Sequence, residues 1–80
     1  MKYSPEEVAE FARTYGEISV FYELVKRGID TDSNAENCLV AIGNYKRMVP
    51  RKIRRALRIN VRSLEIKCRE EIEKTEGVFR

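Results

Sequence analysis

The residues best placed to do chemistry in this chain are arginines. From Lys46 to Arg62 there are eight basic residues and no acidic one, whereas most of the acids fall between residues 4 and 36. A guanidinium presents a planar fork of N–H donors that fits two phosphate oxygens at once, so the chemistry such a run implies is phosphate recognition rather than bond making. The net charge of +3 is too small to argue for an anionic partner by itself; the uneven distribution carries the argument. Catalytic arrangements are missing. The sequence contains no His, no Gly-rich phosphate loop, and no Ser or Cys beside a plausible base, so a non-enzymatic protein without metal or cofactor is expected. Cys38 and Cys68 lie thirty positions apart with no Cys-x-x-Cys pair, and read as small packed thiols in a reducing compartment. Glu6, Glu7 and Glu10, and again Glu65, Glu70, Glu71 and Glu73, read as solvated helix faces or as partners of nearby Lys and Arg.

Helices must position these arginines, because apolar residues recur along the chain at spacings of three and four and never in strand-like alternation. The stretch SPEEVAEF opens a first helix with Ser4 as cap, Pro5 at the first turn and two Glu facing the positive end of the helix dipole. Val8, Phe11, Tyr15, Ile18, Tyr22 and Val25 form its apolar stripe, and Gly28 stops it. In the next loop Asp32 or Ser33 caps a second helix, with Glu36 at capping-box spacing from Ser33, and its stripe is Ala35, Cys38, Ile42, Tyr45 and Val49. Pro50 separates it from a third stripe of Ile53, Leu57, Val61, Leu64, Cys68 and Ile72. The expected fold is all-α: one domain over residues 1–80, a three-helix bundle with helices at about 5–27, 34–48 and 51–75. Eighty residues bury only a thin core, which argues against a pocket for a sizeable substrate.

The segment ALRINVRSLEIKCREE resembles the Fis-type helix-turn-helix over residues 53–72. Ile53, Leu57, Ile59, Asn60, Leu64 and Cys68 match the positions where that family packs its two helices, and the resemblance implies that Arg62, Ser63, Ile66 and Arg69 face a DNA groove. Arg54 and Arg58 stand where the family has a small residue and the Gly of its turn. With Leu57, Val61 and Leu64 keeping helical spacing straight through Asn60, the residues themselves predict one continuous third helix. On that helix, steps of 100° per residue put Arg51, Arg55, Arg58, Arg62 and Arg69 on one exposed stripe, with Arg54 beside it, about 120° from the core stripe.

The leading expectation is therefore a small regulator or accessory factor that binds nucleic acid through the phosphate contacts of Arg51, Arg54, Arg55, Arg58, Arg62 and Arg69, without strong base specificity. The competing expectation is a protein-interaction module, an adaptor or inhibitor. Val20, Leu24, Ile59 and Ile66 fall off the core stripes and would form a second apolar surface for a homodimer or another protein. No apolar stretch approaches membrane-spanning length, and the N-terminus lacks a signal-peptide pattern, so no membrane partner and a cytoplasmic location are expected.

Overall fold

Ser4 and Glu7 start the first helix by exchanging hydrogen bonds: the Glu7 N–H donates to Ser4 Oγ (3.1 Å) and the Ser4 N–H donates to Glu7 Oε1 (3.0 Å). Two otherwise orphaned donors are satisfied in this way. The computed structural model describes residues 3–78, with side chains as far as residue 74. Four helices follow in order: α1 (Pro5–Lys26), α2 (Thr31–Met48), α3 (Arg51–Leu57) and α4 (Val61–Val78), with no strand among the described residues. The all-α class holds; the three-helix count does not.

Helix α1 ends where its glycine requires. Gly28 takes φ 73°; its N–H donates to the Val25 carbonyl (3.1 Å), and the Ile29 N–H reaches back to Leu24 (3.0 Å). This pair of bonds is a Schellman closure, which needs a left-handed residue just past the helix and favours Gly there. The closure turns the chain so sharply that α2 begins at Thr31, not at residue 34. Asp30 is its left-handed cap residue and makes no side-chain cap bond. Asp32, Ser33 and Glu36 consequently lie exposed inside the helix, and the cap and capping box expected of them do not form.

Helix α2 is the centre of the fold. It packs against both α1 and α4, which touch each other little. Ala35, Cys38, Ala41, Ile42, Tyr45 and Val49 are all buried, against Ile18 and Val25 from α1 and Cys68 from α4. The five stripe residues expected on this helix are thus all in the core. The Cys38 thiol points at the Ile18 carbonyl (3.9 Å), and the Tyr15 and Tyr45 rings lie 6.4 Å apart, which sets α1 and α2 antiparallel. Helix α4 then runs back along α2, with Lys46 paired to Glu65 near its start. On α1, Thr14 is also buried and returns its hydroxyl to the Phe11 carbonyl (2.9 Å), whereas Val8 is exposed.

The expected continuous third helix is corrected to two. Arg58 leaves α3 in the left-handed region (φ 54°, ψ 22°), and α4 restarts at Val61 with Asn60 Oδ1 accepting the Ser63 N–H (3.1 Å). Two physical reasons favour the break. Asn offers the backbone an N-cap that competes with helix continuation. A straight helix over residues 51–78 would also be about 42 Å long against about 27 Å for α2, leaving a third of its apolar stripe without a partner. The turn instead lays α3 beside the start of α1, where Ile53 and Leu57 line an apolar cleft with Val8 and Phe11. A non-Gly residue in the left-handed region is strained by about 1–2 kcal/mol. Replacing Arg58 with Gly is therefore expected to raise unfolding stability by roughly 0.5–1 kcal/mol once the extra freedom of the unfolded chain is subtracted. A urea unfolding midpoint that falls in Arg58→Gly would contradict this turn geometry.

Candidate nucleic-acid interface

The break redistributes the arginines. Arg51, Arg54, Arg55 and Arg58 surround one open cleft of about 480 Å³ at the α3–α4 junction, whose lining also includes Tyr45 and Asn60. Arg62 lies exposed in the first turn of α4. Arg69 sits two turns further on, in a separate groove between α2 and α4 beside Leu39, Gly43 and Glu65. The single six-arginine face expected of a continuous helix is thus replaced by a cluster of four, an adjoining fifth and a detached sixth. Steps of 100° per residue stop at Arg58, because the helical phase does not carry across the turn. Within α4, the spacings of four and three still keep Arg62, Ile66 and Arg69 on one side.

These arginines differ electrostatically from most of the other bases, Arg47 and Lys52 excepted. Arg13 pairs with Glu10 (2.6 Å) and Glu17 (2.7 Å), Lys26 and Arg27 pair with Glu23, Lys46 with Glu65, and Lys67 and Lys74 with Glu71. The hydrogen bond from Arg27 holds the Glu23 carboxyl below its ordinary value, with Lys26 adding to the effect. By contrast, Arg51, Arg54, Arg55, Arg58, Arg62 and Arg69 form no ion pair among the described residues. Four uncompensated guanidinium groups around one concavity repel one another, and a bound anion is the simplest relief.

Two polar atoms at this cleft are buried without a partner, Tyr45 Oη and Arg54 Nε. Tyr45 was expected as core and is fully buried. It nevertheless lines the cleft of the arginine cluster, with Arg54 near its hydroxyl, a role that apolar periodicity cannot reveal, since Tyr fills an apolar stripe as well as Leu does. Burial pushes this hydroxyl above its ordinary pKa, opposed by nearby Arg54, so it is a donor at neutral pH. Asn60 was also not singled out as a site residue. Its sequence signals were its match to the Fis-type pattern and a cap-forming side chain directly ahead of the apolar Val61.

The four apolar residues expected at an interface separate as well. Val20 (59% exposed) and the half-buried Leu24 line a shallow patch with Ile29, the residue after Gly28. Ile66 is half exposed on α4. Ile59 is corrected: it is half-buried and packs against the core, because the turn at residues 58–60 swings it inward. The cysteines offer no nucleophile. Cys38 is pushed up to about 12, first by burial and then by its contact with Cys68, whose own pKa burial also raises. Both thiols stay protonated. Among the described residues, no group of three or more potential metal ligands occurs and no helix is long and apolar enough to cross a membrane.

No protein-family model matches this chain, and no curated protein or solved structure matches it. The reading of function therefore rests on the site.

Proposed function

We propose that the protein is a non-enzymatic nucleic-acid-binding module that grips the phosphate backbone with the α3–turn–α4 segment. One observation carries this reading: Arg51, Arg54, Arg55 and Arg58 converge on one cleft without any acidic partner, while the ion pairs formed among the described residues all lie elsewhere. The start of α4 adds the positive end of its dipole on the same side, with Arg62 in its first turn. A short helix, a three-residue turn and a longer helix carrying Arg62, Ile66 and Arg69 on one face also support the resemblance to the Fis-type helix-turn-helix, in which the second helix would lie toward a groove. Phosphate contacts position a protein without reading sequence, so an accessory factor with weak base preference fits best.

The test is a pair of charge-removing substitutions. Arg55→Gln with Arg62→Gln is expected to shallow the logarithmic salt dependence of duplex binding by roughly two units and to weaken binding similarly on unrelated sequences. Stability should shift by no more than about 0.5 kcal/mol, because both side chains are exposed and away from the core. A double variant that binds like the parent at every salt concentration would overturn the reading. It would favour instead a protein-interaction module, which the patch of Val20, Leu24 and Ile29 supports.

A further inference from the structure

Buried polar atoms almost always have a hydrogen-bond partner, and each exception asks for an occupant. The cleft at the α3–α4 junction holds two such atoms, Tyr45 Oη and Arg54 Nε, from different helices. Tyr45 is fully buried yet lines this cleft, so a partner for its hydroxyl would come from the cleft side. Each can donate: a guanidinium N–H, and a phenol O–H whose oxygen also accepts. The rest of the lining repeats that sign, with Arg51, Arg55 and Arg58 around the mouth and no carboxylate anywhere in it. Asn60 Oδ1, the nearby acceptor, is already engaged by the Ser63 N–H.

A cation has no ligand here, and an apolar group would leave both donors unsatisfied. A tetrahedral oxyanion answers every feature, since its oxygens can accept from the phenol, from Arg54 and from the arginines at the mouth at once. We propose that this cleft is a discrete site for a single phosphate group, with the Tyr45 hydroxyl and Arg54 Nε–H as its buried donors. The site rests on the nucleic-acid reading only for the source of the phosphate, an internal diester or a terminal monoester of a polynucleotide. It makes one phosphate contact different in kind from the others: the surface arginines act by charge, while Tyr45 acts by a neutral hydrogen bond.

The experiment is chemical unfolding of the full chain at constant ionic strength, with inorganic phosphate replacing chloride. A ligand that binds only the folded state raises stability with concentration, so phosphate is expected to shift the parent midpoint upward. Tyr45→Phe keeps the ring packing and removes only the hydroxyl. It should bind phosphate about tenfold more weakly, the effect of losing one hydrogen bond to a charged group, and should be at least as stable as the parent in chloride. Arg54→Gln should also lose the phosphate response. In parallel, duplexes with and without a 5′-phosphate identify the source: tighter binding of the phosphorylated form, abolished in Tyr45→Phe, points to a terminal group, and an equal loss on both points to an internal diester. Because Tyr45 is uncharged, its loss should leave the salt slope unchanged. Phosphate stabilising the parent and Tyr45→Phe equally would overturn the proposal. Phosphate binding that needs Tyr45, without any duplex binding at low salt, would leave the site standing and remove the nucleic-acid reading, so the two fail separately.

Discussion

An Ile42→Ala chain should lose about 2–5 kcal/mol of unfolding stability. Ile42 is 2% exposed, sits at the middle of α2 and faces the groove where α4 docks. Truncation there removes apolar contact with the α4 side of the core and leaves a cavity that a helix already packed on two sides cannot close. A domain of this size has roughly 4–12 kcal/mol in total, so the variant should be marginal at room temperature. Urea unfolding is the measurement. The midpoint should fall sharply with the slope unchanged, whereas Ile66→Ala, at a half-exposed position, should stay within about 0.5 kcal/mol. The arginine cleft depends on this packing, because α4 is held in place through α2 while α3 has no fully buried residue of its own. If Ile42→Ala proved neutral, the docking of α4 against α2 would be wrong and the cleft with it.

Much of this architecture is legible in the residues, for reasons that differ along the chain. The first helix has local signals at both ends: a capping box at Ser4 and Glu7, and a glycine in the left-handed region at Gly28. Local rules therefore suffice for it. The α2 stripe is legible because a helix packed on two sides buries every apolar position that periodicity identifies. The α3–α4 junction is not. Leu57, Val61 and Leu64 keep their spacing across it by coincidence of phase, and Arg58 occupies a conformation that local propensity disfavours. What decides there is tertiary: a helix running on from α3 has no surface to cover beyond the length of α2. The site inherits that gap. The arginines were visible as a charge run, but their convergence required the turn, and Tyr45 reads as core until its hydroxyl is placed beside Arg54.

The arginines around the α3–α4 turn are proposed to bind nucleic-acid phosphates. Such binding is tested most directly by titrating a duplex of arbitrary sequence with the parent chain across a salt series. Each phosphate contact releases counterions and contributes about −0.9 to the logarithmic slope on B-DNA. Arg51, Arg55, Arg58 and Arg62 are exposed and form no ion pair among the described residues, so four contacts should give a slope near −3.6 and an affinity loss of roughly 150-fold between 50 and 200 mM salt. Arg54 is held partly inward at the cleft and adds to this where a phosphate enters the cleft. A second, unrelated duplex should give the same slope and nearly the same affinity, since these contacts position the protein without reading bases. Binding with that slope on both duplexes is the predicted result. No binding at low salt, or binding indifferent to salt, would contradict it.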